Sequence, residues 1–354
     1  MDKYITLSPE AKGTFNDRLN FLYLKIGNYL DTENLQNRTL QYCKVFLSDS
    51  KNQIKELQES LLYQEFLKDT NLTIVEQPPL DGSKISLLIK TTDDKTPILF
   101  HSLRLTEEAK GKDSYEQTRM LFERYLSLIA DTDMTMERNL VRTWIYVTDI
   151  DVNYQGVVEA RNDVFSQQGL TADTHYIAST GIGGSTSVLN ASVAIDFLTI
   201  PDINEENKKY LQALEHLNPT HEYGVAFERG TRVTIPVHSV NSDGNQQLKQ
   251  QYFISGTASI DKQGDVVYEG DIVRQTGRLL ENIGALLKDG DATMNDIQYF
   301  IIYLRDISDY HTVDRLMQQF YPQIPRIIVD AKVCRPGWLI EMECIAEKET
   351  CSTK

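Results

Sequence analysis

The chain has 354 residues, of which 41% are hydrophobic and 25% are charged, and its formal net charge is −15. This composition is ordinary for a globular protein, and the length predicts two or three domain-sized units. The acidic balance excludes nucleic acid and the anionic face of a membrane as favoured partners, because both carry negative charge themselves.

Neither a targeting segment nor a metal motif is evident. The first ten residues lack the basic stretch and apolar run of a signal peptide, and no window approaches the about 18 apolar residues of a membrane span. The cysteines form no CxxC pair and no Cys/His cluster with metal spacing. They are Cys43, Cys334, Cys344 and Cys351. We therefore expect a cytoplasmic protein with reduced thiols, no metal and no cofactor.

The first predicted unit covers residues 1–92. An amphipathic helix, a polar turn, an apolar strand, a second helix and two closing strands follow one another. The last four elements are YCKVFL, KNQIKELQESLLYQEF, LTIVEQ and KISLLI. Only about ten residues precede the first helix, so we expect this unit to be truncated and to lack a leading strand.

The same order recurs in a second unit, 93–200, and a third, 223–347. Both add a leading strand, TPILFHSLRL in one and QQYFISGTASI in the other. Residues 201–222 are polar and predict a linker helix. EQPPLDGSK and NSDGN predict hairpin turns at 76–84 and 241–245, and residues 348–354 predict a frayed tail.

An internal repeat supports this division. Residues 18–50 align without a gap to residues 275–307, and a third copy begins at residue 117. The offsets are too long for a solenoid. Each unit predicts an α+β layer whose second sheet face needs a cover, and three units around a pseudo-threefold axis would cover one another.

The motifs of the third unit resemble the YjgF/RidA family. They are the Ser-Gly of FISGTASI, the Gln-Thr that opens a helix, the Pro-Arg of IPRIIVDA and the closing strand IEMECIA. The resemblance is best over about residues 220–347 and implies RidA-like βαβαββ units, here three in tandem as an intramolecular pseudotrimer. Members of that family are trimers of single units with ligand clefts at the interfaces.

A second set of motifs resembles the chorismatase branch of that superfamily. It comprises YGVAFERGTRV, RTWIYVTDID, IASTGIGG and VCRPGWLIEME. The chain departs from the family pattern at Leu103, where a glycine is expected, at Ile145, where an asparagine is usual, and in EARNDVF, where an aromatic after the arginine is missing. Only unit three keeps the full RidA-type set, so we expect one functional cleft rather than three.

The resemblance assigns roles to residues of that cleft. Glu343 matches the acid/base glutamate, and Arg326 matches the arginine that grips a substrate carboxylate with two hydrogen bonds. Arg335, Arg229 or Arg142 could supply a second cation. The other predicted binding residues are Tyr223 and Phe227 as pocket walls, Gly256 and Thr257 as N–H donors to an oxyanion, and Cys334.

Each assignment has a structural alternative. Glu341 and Glu343 could form a solvated strand face, Arg335 could simply pair with Glu341, and Arg142 could belong to a structural ion pair. His175 is better explained as a hydrogen-bonded loop residue than as a catalyst. Cys334 has no histidine partner and is better explained as a packed thiol than as a nucleophile.

Three functions remain open at this point. The first is a chorismatase-like hydrolase that releases pyruvate from a small carboxylated enol ether by general acid catalysis. The second is a RidA-type enamine/imine deaminase, and the third is a non-catalytic protein that binds small carboxylates. In each case the partner is a small carboxylated metabolite, and the protein is a monomer with an internal pseudotrimer or a higher homo-oligomer.

Overall fold

The computed structural model describes residues 2–10, 12–240 and 246–351. They form three units in tandem, each with its own β-sheet and with helices on one face of that sheet. The predicted hairpin turn at 241–245 lies outside the described residues.

Unit one forms a four-stranded sheet in the order β1-β4-β2-β3. Its elements are β1 (Lys3–Leu7), α1 (Phe15–Asn34), β2 (Thr39–Leu47), α2 (Ser50–Glu59), β3 (Asn71–Glu76) and β4 (Ile85–Thr92). The expectation that this unit lacks a leading strand is wrong, because β1 pairs antiparallel with β4 over five residues. The 76–84 segment is no hairpin, since β3 and β4 are not neighbours in the sheet.

Unit two repeats the arrangement in the order β5-β8-β6-β7. Its elements are β5 (Leu99–Arg104), α3 (Ser114–Ile129), α4 (Met136–Asn139), β6 (Leu140–Val147), α5 (Ile150–Gln167), β7 (Ala178–Gly183) and β8 (Val193–Thr199). Helix α3 begins at a capping box, in which Asp113 and Glu116 satisfy each other's backbone N–H groups.

Unit three has a six-stranded sheet in the order β13-β12-β14-β11-β10-β9. Its elements are β9 (Lys208–Tyr210), β10 (Gly230–Val240), β11 (Gln246–Ala258), α6 (Ile272–Asp289), β12 (Ile297–Leu304), α7 (Tyr310–Phe320), β13 (Arg326–Asp330) and β14 (Ile340–Cys351). The predicted linker helix at 201–222 is wrong. That segment contains two short 3-10 turns and strand β9, which extends this sheet.

Short helical turns complete the chain. They are the 3-10 turns Glu107–Ala109, Glu205–Asn207, Thr220–Tyr223, Met294–Asp296 and Ile307–Asp309, and the π-helical turn Tyr63–Leu67.

The three sheets turn their helix-free faces toward a common core. One hydrophobic cluster takes Phe46 from unit one, Tyr146 from unit two and Tyr303 from unit three. Aromatic contacts cross between units, such as Tyr4 with Tyr299 at a centroid distance of 5.2 Å. Each unit therefore covers the open sheet face of the others, as the predicted three-unit fold requires.

Isolated backbone bridges tie the units together at their edge strands. Glu76 of unit one pairs with Ser185 of unit two, and Ala178 of unit two pairs with Glu228 of unit three. Pro79 pairs with Val329 and so joins units one and three. The edge of unit two that carries β7 consequently lies against β10 and β11 of unit three, and this boundary holds the candidate site.

Candidate functional site

A cavity of about 460 Å³ lies at the boundary between units two and three. Helix α5 and strand β7 form one side, and strands β11 and β14 with the loops around them form the other. The lining residues that matter chemically are Tyr154, Arg161, Ser179, Tyr223, Phe227, Arg229, Gly256, Cys334, Arg335, Trp338 and Glu341. Six of the ten predicted site residues are among them, namely Tyr223, Phe227, Arg229, Gly256, Cys334 and Arg335.

Three arginines converge on this cavity without a carboxylate to neutralise them. Arg161 comes from α5, Arg229 precedes β10, and Arg335 lies in the loop before β14. None of the three takes part in an ion pair among the residues that the structure describes. Arg161 and Arg229 are buried and Arg335 is half-buried, so the cavity presents three positive groups to which an anion could bind.

Arg335 is held by aromatic rings rather than by Glu341. Its guanidinium carbon lies 4.9 Å from the centroid of Tyr223 and 4.7 Å from that of Trp338. Its Nη1 donates to the carbonyl of Gly264 at 3.0 Å. The alternative that Arg335 simply pairs with Glu341 is therefore not what the structure shows. The stacked guanidinium keeps N–H groups for a ligand.

Arg229 is fixed from behind by the backbone. Its Nε and Nη2 donate to the carbonyl of Asn218 at 3.2 and 3.1 Å, and its guanidinium lies 5.5 Å from the ring centroids of Tyr223 and Phe227. The two predicted wall residues thus pack on the cation itself, and Tyr223 contacts both Arg229 and Arg335.

Arg161 is the most deeply buried of the three, with 1% of its surface exposed. Its Nε and Nη2 have no hydrogen-bond partner in the described part of the chain. Burial lowers the pKa of this guanidinium, and the neighbouring Tyr154 acts in the opposite direction. A buried donor pair without an acceptor is rare in folded proteins, so these two N–H groups are available to a ligand in the cavity.

Glu341 brings a carboxyl group into the same cavity. No hydrogen bond or ion pair to it is found among the described residues, although only 5% of its surface is exposed. Burial, reinforced by the negative charge of Glu343, raises the pKa of Glu341 to about 8, against the opposing effect of Arg142 and Arg229. At neutral pH this carboxyl group holds a proton that it can donate.

Gly256 is required because Glu341 approaches it closely. A Cβ atom at Gly256 would stand 1.9 Å from Glu341 Oε1. The glycine lies in a register shift of the β11–β14 ladder, between Ile254 and Thr257. The Ser-Gly motif therefore makes room for the proton-bearing side chain.

Replacing Gly256 by alanine is expected to displace the Glu341 carboxyl group and to destabilise the protein by about 1 kcal/mol, because the new methyl group overlaps the end of that side chain, which must move. Gly277→Ala in α6 is the matched control, since nothing lies within 4 Å of that position and alanine favours a helix. Urea unfolding of both variants measures the difference. Equal free energies of unfolding would contradict this account of the motif.

Glu343 does not line the cavity. Arg142 Nη2 donates to its Oε2 at 2.9 Å, and Trp144 Nε1 donates to its Oε1 at 2.9 Å. Only 2% of the side chain is exposed. Both carboxylate oxygens are thus engaged by unit two, and the carboxyl group that lines the cavity is that of Glu341, which lies two residues earlier on the same strand face.

Arg142 takes part in a structural ion pair, which is the alternative stated for it from the sequence. Besides Glu343, its guanidinium donates to Ser255 Oγ at 3.2 Å and to Thr180 Oγ1. It is 2% exposed and does not line the cavity. Arg142 therefore joins units two and three rather than binding a ligand directly.

Arg326 lies outside this cavity. Its Nη2 donates to Asp314 Oδ1 at 2.9 Å and to Gln318 Oε1 at 2.7 Å, both on α7. It lines a different cavity of about 450 Å³, where units one and three meet. The strand register explains this placement. Arg326 pairs with Phe300 and Glu343 pairs with Ile301, so the two side chains leave opposite faces of the sheet.

The predicted oxyanion donors are also placed differently. The backbone N–H of Gly256 donates to Thr180 Oγ1 at 2.9 Å, so this group is already engaged. Thr257 is fully buried opposite Met342 and does not line the cavity.

The remaining candidates have structural explanations. Burial raises the pKa of the Cys334 thiol to about 12, so it stays protonated and serves as lining rather than as a nucleophile. His175 stacks on Tyr210 at 4.4 Å, and its Nδ1 lies 2.9 Å from the Tyr176 carbonyl. Both placements match the alternatives given for these residues from sequence.

In the described parts of the chain, no group of three or more His, Cys, Asp or Glu side chains is arranged to hold a metal ion. The same residues include no helix with the length and apolar content that crossing a bilayer demands.

Comparison with known proteins shows which family this chain belongs to. A sequence profile for the family described as endoribonuclease L-PSP matches residues 242–348. A RutC family protein from Pyrococcus abyssi is 33% identical over 99 residues, which are 27% of this chain and 78% of that protein. This chain belongs to the RutC family. Another RutC family member, the 3-aminoacrylate deaminase RutC of Acinetobacter baylyi, is 30% identical over 96 residues, which are 27% of this chain and 76% of the deaminase.

This RutC family chain is similar along its length to a solved structure that is described as a chorismatase. The two chains superpose with a TM-score of 0.66 over 98% of each chain, and 17% of the aligned residues are identical. That likeness shows a shared fold. It confirms the predicted α+β architecture of tandem RidA-like units and the resemblance on which the prediction rested.

Arg161 and Glu341 carry charged groups of the cavity that the predicted set did not include. Arg161 stands on the buried stripe of α5 with Val157, Ala160, Val164 and Phe165. A charged residue on an otherwise apolar helix stripe is a signal that could have singled it out. Glu341 shares its strand face with Glu343, so spacing alone could not separate the two.

Proposed function

We propose that this chain is a hydrolase that cleaves a small carboxylated enol ether of the chorismate type by general acid catalysis. One observation carries the proposal. The Glu341 carboxyl group, which has no partner among the described residues and whose pKa is raised to about 8, shares a cavity with three arginines that lack carboxylate partners. That arrangement presents a proton and several anion-binding groups to one small molecule.

The chemistry balances with water as the co-reactant. Glu341 transfers its proton to the terminal methylene carbon of the enol ether, which gives an oxocarbenium ion. Water adds to the cationic carbon, and its released proton returns to Glu341. The resulting hemiketal breaks the bond between its central carbon and the ring oxygen, and the proton of the hemiketal hydroxyl passes to that oxygen, yielding pyruvate and a ring alcohol.

The arginines support a substrate that carries two carboxylates. Arg335 and Arg229 contact the same tyrosine ring, Tyr223, so a carboxylate beside that ring could reach both guanidinium groups. Arg161 provides its two free donors from α5, a separate element. The similarity in fold to a chorismatase agrees with this substrate class.

A second candidate, an enamine/imine deaminase, is favoured by the sequence similarity to a 3-aminoacrylate deaminase. The site geometry favours it less. The arginine that matches the RidA carboxylate clamp, Arg326, is paired with Asp314 away from Glu341. In addition, a carboxyl group that keeps its proton near neutrality is better suited to donate a proton than to activate water.

Two assays on the purified full chain distinguish these functions. We expect pyruvate to be released from chorismate, measured by a coupled dehydrogenase reaction, and little ammonia from 2-imino acids. Ammonia release without pyruvate would favour the deaminase. Tight binding of chorismate in calorimetry without either product would favour the non-catalytic binder.

The rate should depend on pH through Glu341. Because the acid form donates the proton, kcat is expected to stay level below about pH 8 and to fall about tenfold per pH unit above it. Steady-state kinetics between pH 6 and 10, with circular dichroism at each pH, measure this limb. A rate that rises through the same range would indicate that the ionised carboxylate acts instead.

A further inference from the structure

The two glutamates of β14 stand in contrasting surroundings. Glu341 and Glu343 are two residues apart and so point to the same sheet face, with Cα atoms about 7 Å apart. Glu343 has both oxygens hydrogen-bonded, whereas Glu341 has no such partner among the described residues. Only Glu341 reaches the cavity.

The donors that engage Glu343 come from a single strand of unit two. Arg142 and Trp144 are alternate residues of β6, and the guanidinium of Arg142 lies 5.0 Å from the Trp144 ring centroid. Ser255 and Thr180 accept further hydrogen bonds from Arg142 and so fix its position. The carboxylate of Glu343 is thereby held at a defined place, with Arg142 as its ion-pair partner.

We propose that Glu343 is a positioning residue: its carboxylate, held in place by hydrogen bonds from Arg142 and Trp144, keeps the neighbouring Glu341 carboxyl group protonated. The inference deepens the proposed function and rests on it, because Glu341 is the proton donor there. Through Arg142 and Trp144, unit two then contributes to the proton transfer, in addition to providing residues that line the cavity.

Electrostatics within the boundary support this assignment. Glu341 is surrounded by Glu343 on its own strand, Tyr303 on β12, Arg142 on β6, Arg229 before β10, and the loop groups Cys334 and Arg335, with Tyr154 and Arg161 on α5. Besides burial, the charge of Glu343 is the largest influence on its pKa, ahead of Arg142 and Arg229.

Groups on other elements also lie near Glu343. The side chain of Lys44, from β2 of unit one, interacts electrostatically with Glu343 from a fully buried position, and Tyr299 and Tyr303 of β12 face the same carboxylate. Arg142 opposes this effect, but it lowers the pKa of Glu341 less than the charge of Glu343 raises it. At about 7 Å, two like charges in a protein shift a pKa by about one to two units.

The test replaces Glu343 and follows Glu341 directly. Glutamate labelled with ¹³C at the side-chain carboxyl gives a titration curve for Glu341, assigned by its loss in Glu341→Gln. In Glu343→Gln we expect this titration, and the alkaline limb of kcat, to move about one to two pH units lower. In Glu343→Asp, which keeps the charge, both should stay within a few tenths of a unit of the parent chain.

Several outcomes separate the claims. An unchanged titration and limb in a folded Glu343→Gln variant would overturn the positioning role. If Glu343→Gln does not fold, Arg142→Met/Glu343→Leu removes the pair without leaving a buried charge, and the Glu341 titration should still fall. A shifted titration in a chain that hydrolyses no enol ether would support the positioning of Glu341 and contradict the proposed function alone.

Discussion

Replacing Glu341 by glutamine is expected to reduce kcat for enol-ether hydrolysis by about 10²- to 10⁴-fold, the contribution typical of a positioned acid. Glutamine has nearly the same shape but cannot donate a proton to carbon at neutral pH. The close contact with Gly256 is preserved, so the cavity keeps its volume. Steady-state pyruvate release measures the loss.

Ligand binding should survive this substitution. The three arginines are untouched, so the dissociation constant for chorismate, measured by calorimetry, should change by less than about threefold. The matched control is Glu159→Gln, which alters another carboxyl group that lines the cavity and should leave kcat within about twofold. If Glu341→Gln retained the parent kcat, Glu341 could not be the proton donor, and the non-catalytic interpretation of the cavity would gain support.

The fold was predictable from the hydrophobic pattern to a large extent. The repeated helix stripe of Leu279, Ile283 and Leu287, which are buried in α6, recurs as Leu22, Ile26 and Leu30 in α1. Such periodicity specifies element type and the buried face. It does not specify short additions, and β1 and β9 were missed because five-residue and three-residue strands carry little periodic signal.

From the sequence, the location of the site at a boundary between units and some of its single residues could be predicted, but the arrangement of its side chains could not. Arg229 and Arg335 were found through motifs, but Glu341 and Glu343 are equivalent by strand period and differ only in what approaches from unit two. Arg142 and Trp144 reach Glu343, and Gly256 leaves room beside Glu341. No property of β14 taken alone contains this information.

Arg326 also shows that the sequence alone does not predict where a side chain points. Sequence places an arginine after Pro325 at the start of a strand, which matched the family motif. The direction of its side chain depends on the register with β12 and on Asp314, which α7 places within 2.9 Å. Local ion pairing therefore decides that Arg326 does not share a cavity with Glu341.

Arg161 and Arg142 should respond in opposite ways to replacement by methionine. Both are almost fully buried arginines on unit two, but among the residues that the structure describes only Arg142 has a carboxylate partner. Arg161→Met removes a buried cation with two unpartnered donors, so the unliganded protein should gain on the order of 1–3 kcal/mol in free energy of unfolding. Arg142→Met leaves Glu343 unpaired and should lose about 3–5 kcal/mol.

The gain at Arg161 should be accompanied by a loss of affinity. Measured in the Glu341→Gln background, where substrate is not consumed, Arg161→Met should weaken chorismate binding by about 10- to 100-fold, as expected for lost charge-assisted hydrogen bonds. Urea unfolding without ligand gives the stability and calorimetry gives the affinity. A variant that is less stable and binds as tightly as its parent would show that Arg161 supports the fold rather than the ligand. A residue that costs stability and strengthens binding is what a site maintained for an anionic substrate requires.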